Sequence, residues 1–237
     1  MAKRGKIYKA NAAKVDRTKK YSLDEALQIL DSYQVRKFDE SIEVALNLGV
    51  DPKQSDQMVR GASVLPHGIG KSVRVVCIVR GDAEREAREA GADHVGNDDL
   101  IEKIEKGWLD FDRVLTTPEA LKDLTKIAKI LGPKGLMPNK KTGTVTSEIG
   151  KAVKEQKLGK VEYKVEKAGI IHAIIGKKSF GASKLKENFL ALFDSILKAK
   201  PATSKGIYVR KVAIAPTMGP SVLLDAPALV SQASASL

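Results

Sequence analysis

Residues 73–79, Val73-Arg74-Val75-Val76-Cys77-Ile78-Val79, are the most restrictive stretch of the chain. Apart from Arg74 the run is apolar, rich in valine, and without the polar alternation of a half-exposed strand. Such a run suits a parallel strand buried on both faces, which must be covered by helices on either side. The sequence that follows supplies them. Gly81-Asp82 leads into a charged helix through residue 90, residues 92–95 read as a short strand, and residues 98–106 as a short helix. Residues 111–115 form the next strand. Thr117 then caps a helix running to residue 131, with Pro118 at its first helical position. A last helix covers residues 147–157. Strands alternating with helices imply a small parallel sheet covered on both faces.

The chain on either side of this stretch is patterned differently. Ser22-Leu23-Asp24-Glu25 is a capping box, and the helix it opens reaches about residue 33 with Leu23, Ala26, Leu27 and Leu30 on one face. Residues 38–48 alternate as a strand with Ile42, Val44, Leu46 and Leu48 on one side, and residues 55–65 read as another, stopped by Pro66. After Gly159, residues 160–165 and 170–175 are strands separated by the hairpin-type turn Glu166-Lys167-Ala168-Gly169. Ser183 caps an amphipathic helix bearing Leu185, Phe189, Leu192, Phe193 and Ile196, ended before Pro201. The strand of residues 208–215 stops at Pro216, and a second short apolar run follows the turn Thr217-Met218-Gly219-Pro220-Ser221. The Ala- and Ser-rich tail, residues 226–237, reads as disordered. Residues 1–20 are a basic arm, either solvated or phosphate-contacting, with Lys3, Arg4, Lys6, Lys9, Lys14, Arg17, Lys19 and Lys20.

Neither flank is comfortably large alone, and both combine a helix with antiparallel strands. The simplest reconciliation is one split α+β domain, residues 1–66 and 160–237, interrupted by an inserted Rossmann-like parallel α/β domain, residues 67–159. Pro66, Gly68, Gly70 and Gly159 then fall at the joins and are the expected hinges.

Charge is distributed in the same way. The 237 residues carry 41 basic and 29 acidic side chains, a net of +12. Residues 67–159 hold 17 basic and 15 acidic, a net of +2, which leaves +10 on the flanks. A polyanion is the expected partner, nucleic acid before an anionic membrane surface. No apolar run approaches the length of a membrane span, and the basic N-terminus has no apolar segment behind it to make a signal peptide. The lone cysteine, Cys77, excludes an internal disulfide and suits a reducing cytoplasm. His67, His94 and His172 lack ligand-like spacing, so no metal is expected. Gly70-Lys71-Ser72 resembles the end of a phosphate-binding loop, but Leu65 stands where that loop needs glycine and a strand follows where it needs a helix. No catalytic constellation emerges. The expectation is a binding protein without a cofactor.

The turn at residues 217–221 combines a hydroxyl, a soft apolar side chain, a glycine that admits close approach, and a stiffening proline. From chemistry alone an ordinary hairpin turn and a nucleic-acid contact both remain open. The residues as a set, however, resemble a known family. Thr217-Met218-Gly219-Pro220-Ser221 after Arg210-Lys211 is similar to the RNA-contacting signature of bacterial large-subunit ribosomal protein one, the exit-site stalk protein. The likeness extends to Lys37-Phe38-Asp39-Glu40-Ser41-Ile42-Glu43, Ser55-Asp56-Gln57-Met58-Val59-Arg60-Gly61, Leu65-Pro66-His67-Gly68 and Gly132-Pro133-Lys134-Gly135-Leu136-Met137-Pro138-Asn139, and runs from about Lys3 to about Asp225.

The resemblance implies the split architecture and a function in binding large-subunit rRNA on the ribosome. It also implies repression of the protein's own operon through an mRNA leader, and a moving stalk as deacylated tRNA leaves the exit site. The free protein is expected as a monomer. The implied RNA-binding residues are Lys37, Phe38, Asp39, Ser41, His172, Lys177, Lys211, Thr217, Met218, Gly219, Pro220 and Ser221. The loop of residues 132–144 departs from the family in carrying Lys140 where proline is usual, and its role stays open. Two rivals remain: a small α/β enzyme acting on a phosphorylated or nucleotide substrate, and a nonspecific basic chaperone or membrane-surface protein.

Overall fold

A computed structural model describes residues 5–34 and 36–235. The chain divides into two compact units, one built from the chain up to Gly70 and from Val161 onward, the other from Lys71–Lys160.

In the first unit, α1 is Lys6–Ala12, α2 is Leu23–Asp31, β1 is Ser41–Leu48 and β2 is Arg60–Val64. After the second unit the chain returns with β6 (Lys160–Lys164), β7 (Ile170–Lys177), α7 (Gly181–Lys198), β8 (Val209–Pro216), β9 (Val222–Leu224) and α8 (Ala226–Ala235). An antiparallel sheet of order β7-β1-β8-β9 forms its centre, so β1 from one end of the sequence lies between two strands from the other. Ile42, Val44, Leu46 and Leu48 all point to one buried face, as their alternation demands. They share a core with Leu27 and Leu30 of α2 and with Phe189, Leu192, Phe193 and Ile196 of α7. Burying each of these large apolar side chains contributes about 1.5–3 kcal/mol. The capping box of α2 is present: Ser22 Oγ accepts from the Glu25 N–H at 3.3 Å and Glu25 Oε2 from the Ser22 N–H at 3.1 Å.

In the second unit, β3 (Val75–Ile78), β4 (His94–Gly96) and β5 (Arg113–Thr116) form a parallel sheet of order β4-β3-β5. The helices α3 (Asp82–Glu89), α4 (Asp98–Glu105), α5 (Ala128–Leu131) and α6 (Ile149–Leu158) accompany it. All four residues of β3 are buried, including the free thiol of Cys77, which burial pushes up to about 12. The mixed architecture, an antiparallel sheet from both chain ends and a parallel sheet between, is the one the sequence implies.

Several local expectations are corrected. Residues 117–131 are not one helix. Thr117 Oγ1 does accept from the Ala120 N–H at 3.4 Å, but a 3-10 segment, Ala120–Thr125, follows before the short α5. Ala120, Leu124, Ile127 and Leu131 are all fully buried, so the segment still turns one apolar face inward despite its tighter winding. Residues 160–165 and 170–175 do not pair as a hairpin, because β6 joins β2 in a separate two-stranded sheet. Residues 55–65 begin with a 3-10 turn, Ser55–Gln57, before β2. Ser183 does not cap α7, which starts at Gly181 directly from the 3-10 turn Lys178–Phe180.

The tail is α8 rather than disorder; Ser236 and Leu237 lie outside the described residues. Ala226, Leu229 and Ala233 are buried at helical spacing in the core of the first unit. The basic arm is α1, tied down where Asn11 Oδ1 accepts from the Gln34 N–H at 3.0 Å; its Lys3 and Arg4 also lie outside the described residues. Among the described residues no helix is long and apolar enough to cross a membrane, and no cluster of three His, Cys, Asp or Glu could hold a metal ion.

Candidate nucleic-acid interface

The register of the first sheet gathers three chain segments at one end. Ser41, the first residue of β1, pairs with Lys177 at the end of β7, and Ile42 pairs with Pro216 at the end of β8. The turn of residues 217–221, closing onto β9, therefore sits beside the start of β1. Thr217 locks it there. Its N–H donates to Ser41 O at 3.0 Å, and its hydroxyl donates to the same oxygen at 3.2 Å while accepting from the Ser41 N–H at 3.1 Å.

Behind the turn lies a carboxylate. Glu40 is buried, and its Oε1 accepts from the Met218 N–H at 3.0 Å. Its own carbonyl accepts from the Lys178 N–H at 2.8 Å. Lys178 Nζ donates to Tyr33 O at 2.6 Å, and the Tyr33 hydroxyl donates to Pro220 O at 3.3 Å. Burial raises that phenol to about 12, so it keeps its proton across the physiological range. Arg36 Nη2 donates to Met218 O at 3.3 Å. On the other side Asp39 takes both the N–H (3.1 Å) and the hydroxyl (2.6 Å) of Ser179, and Lys177 Nζ donates to Ser41 Oγ at 2.9 Å. Charged groups thus hold the backbone of all three segments by charge-assisted hydrogen bonds, the stronger kind.

Gly219 has an internal reason to be glycine. A Cβ there would lie 2.4 Å from Pro216 Cγ and 3.3 Å from Tyr33 Cδ2. The close approach expected of it is therefore already made, by the protein's own side chains.

What the fixed frame presents outward is apolar surface among side chains of both charges. Phe38 and Met218 are each 52% exposed, unusual for residues of their kind. Lys37 is exposed beside them, and a cavity of about 530 Å³ opens here, lined by Arg36, Lys37, Phe38, Lys178 and Ser179 together with the carboxylates of Asp31, Asp39 and Glu40. Ser221 is exposed, whereas Pro220 is buried. His172 and Lys211 are exposed but stand opposite Ala45 and Asn47, roughly 13 and 20 Å along β1 from Ser41. His172 lies 3.7 Å from Glu166. The sheet thus brings ten of the twelve expected residues to one end and leaves these two further along it.

Tyr33, Arg36, Glu40, Lys178 and Ser179 belong to the same network and were missed in the sequence. A glutamate one residue before a strand carries no mark of burial, and Lys178-Ser179 reads as any polar turn. Of the expected hinge residues, Gly68, Gly70 and Gly159 all have left-handed φ of 66°, 71° and 104°. Asn188, fully buried, fixes residues 67–68, accepting from the His67 N–H at 3.0 Å and donating to Gly68 O at 2.9 Å.

Comparison with known proteins identifies the family of the chain. Residues 30–220 match the Ribosomal protein L1p/L10e family, a span that includes β1, β7, β8 and the turn up to Pro220. The chain is 56% identical over 232 residues to the Large ribosomal subunit protein uL1 of Bdellovibrio bacteriovorus, covering 98% of this chain and 99% of that protein. It is 55% identical over 225 residues to the Large ribosomal subunit protein uL1 of Solidesulfovibrio magneticus, covering 95% and 96%. Likeness of that depth over nearly the whole chain means that it belongs to the Ribosomal protein L1p/L10e family.

Proposed function

We propose that this chain is a structural constituent of the large ribosomal subunit and binds its rRNA through the end of the split sheet where β1, β7 and the β8–β9 turn meet. One observation carries the proposal: an aromatic ring and a methionine, Phe38 and Met218, are held half out in water beside Lys37 by a frame of charge-assisted bonds, among them that of the buried Glu40. A surface that costs this much ordering and leaves apolar groups uncovered suits a partner that covers them. Phe38 offers a face for stacking on a base or ribose, Lys37 a phosphate contact, and Met218 and Ser221 direct contacts on the turn. Asp39, Ser41, Lys177, Thr217, Gly219 and Pro220 serve by holding the frame, and His172 and Lys211 extend the surface along the sheet. The work is binding rather than chemistry, as befits a family of ribosomal proteins.

The same surface is proposed to bind the leader of the protein's own message, so that the two RNAs exclude each other, and the ribosome-bound protein to take part in release of deacylated tRNA from the exit site. It is proposed to act in the cytoplasm and to be a monomer when free. Hinges are proposed at Pro66, Gly68, Gly70 and Gly159; the bonds of Asn188 to His67 and Gly68 favour Gly70 and Gly159 as the freer of them.

The test is a titration of wild type and Phe38→Ala with a large-subunit rRNA stalk fragment, an unrelated structured RNA and anionic vesicles at several salt concentrations. Phe38→Ala should weaken rRNA binding by about 1–3 kcal/mol and leave the thermal midpoint in place, since the ring is half exposed. Equal affinity of both proteins for all three partners would overturn the proposal and favour nonspecific basic binding.

A further inference from the structure

We propose that the second unit carries a small site of its own, at the open edge of its sheet, for the base and 5′-phosphate of an unpaired nucleotide. A cavity of about 400 Å³, a size that suits a mononucleotide, is lined by His94, Leu100, Lys103, Lys106 and Trp108. The fold builds it from three pieces. His94 opens β4, the outermost strand of the sheet. Leu100 and Lys103 lie one helical turn apart on the same face of α4. Gly107, with φ of 96°, then reverses the chain, and the Trp108 N–H donates to Lys103 O at 3.0 Å, folding the indole back beside the helix.

Trp108 is the chain's one tryptophan and is only half buried. Phe111, itself buried, backs it at a ring-centroid distance of 5.3 Å, and the His94 ring stands nearly perpendicular to it at 4.8 Å. Leu100 completes an apolar wall. Two ammonium groups flank this recess. Among the described residues Lys103 has no acidic partner, and Lys106 meets only the exposed Glu102, at 3.8 Å. The α4 C-terminus turns carbonyls rather than N–H groups toward this end, so an anion here is held by side chains and not by the helix. Aromatic and apolar surface beside two exposed cations, one unpaired among the described residues and one in a long, solvent-exposed pair, fits a planar base joined to a phosphate, the combination by which proteins hold single-stranded RNA. All five residues lie in the unit that does not carry the rRNA surface proposed above, so this site stands or falls separately.

Because Trp108 is the only tryptophan, its fluorescence reports on the site directly in the full chain. The probes are adenosine 5′-monophosphate, a short oligoadenylate, adenosine and inorganic phosphate. We expect a saturable quench by adenosine 5′-monophosphate at concentrations where adenosine and phosphate alone give none. Lys103→Gln with Lys106→Gln, both exposed and checked for folding by circular dichroism, should weaken it about tenfold and remove most of its salt dependence. Phe38→Ala should leave it unchanged. Tighter binding of the oligoadenylate than of the mononucleotide identifies an RNA strand as the natural source, and equal binding a free nucleotide. A quench that rises linearly without saturating, an equal response to inorganic phosphate, or the same curve for the double variant as for wild type would overturn the proposal.

Discussion

The buried carboxylate of Glu40 accepts the backbone N–H of Met218, 178 residues further along the chain, at 3.0 Å. The two residues need each other differently. Met218 gains a fixed position for its exposed side chain, and Glu40 gains a donor that compensates its removal from water.

Replacing Glu40 by glutamine keeps an oxygen in place to accept that N–H, whereas leucine leaves it unsatisfied. An orphaned buried donor costs about 1–3 kcal/mol. We expect Glu40→Leu to lower both the urea midpoint and the rRNA affinity, and Glu40→Gln to restore most of each. Denaturation curves alongside filter binding check this, and indistinguishable Gln and Leu proteins would contradict it.

A second prediction concerns Gly219. From the sequence this glycine is expected only to admit close approach at the turn. The structure corrects this: Pro216 and Tyr33 occupy the space a side chain would take. Gly219→Ala should therefore destabilise the first unit by about 1–3 kcal/mol through overpacking, measurable by thermal unfolding in the absence of any RNA.

The tail supplies a third. Leu229 is 4% exposed, in the core it shares with β1 and α7. Leu229→Ala should lower stability by about 2–5 kcal/mol, while Pro227→Ala, on the exposed side of the same helix, should change it by less than about 0.5 kcal/mol. A disordered tail would tolerate both equally.

What was legible in the sequence were the elements whose pattern repeats. Ile42, Val44, Leu46 and Leu48 declared a half-buried strand, residues 75–78 a fully buried one, and Ser22 with Glu25 the start of a helix. The tail escaped notice because its buried positions are mostly alanine, which carries little hydrophobic contrast against serine. Glu40 escaped because burial of a charged residue depends on donors arriving from elsewhere in the chain, and no local pattern encodes them. The candidate surface was thus legible in its exposed members and in the part of its frame that lies on the same motifs, while the supports from Tyr33, Arg36, Glu40, Lys178 and Ser179 were hidden.

A fourth prediction is electrostatic and belongs to the second unit. Asp112 receives Lys71 Nζ at 2.7 Å and the Arg74 N–H at 3.1 Å, and the hydrogen bond from Lys71, outweighing partial burial, holds its carboxyl below the ordinary value. A depressed carboxyl stabilises the fold above the unfolded value of about 3.9, and that contribution disappears as pH falls through the folded value. Asp112→Asn should therefore cost on the order of 1 kcal/mol at neutral pH, with the gap between variant and wild type closing below about pH 4. Urea unfolding followed by Trp108 fluorescence across that range checks the sign, since a gap that widens in acid would be inconsistent with it.

The position of β1 between β7 and β8 sets a schedule for biosynthesis. A nascent chain releases β1 early, with both strand edges bare, and neither neighbour exists until residues 170–177 and 209–216 have been translated. The second unit, contiguous in sequence, can fold meanwhile as an emerging domain. During that interval β1 is an unmatched ribbon whose bare edges are open to pairing with other chains. A product aborted before Pro216 lacks the turn, the clasp on Ser41 and the partner of Glu40, so a prematurely terminated chain cannot close this end of the sheet at all.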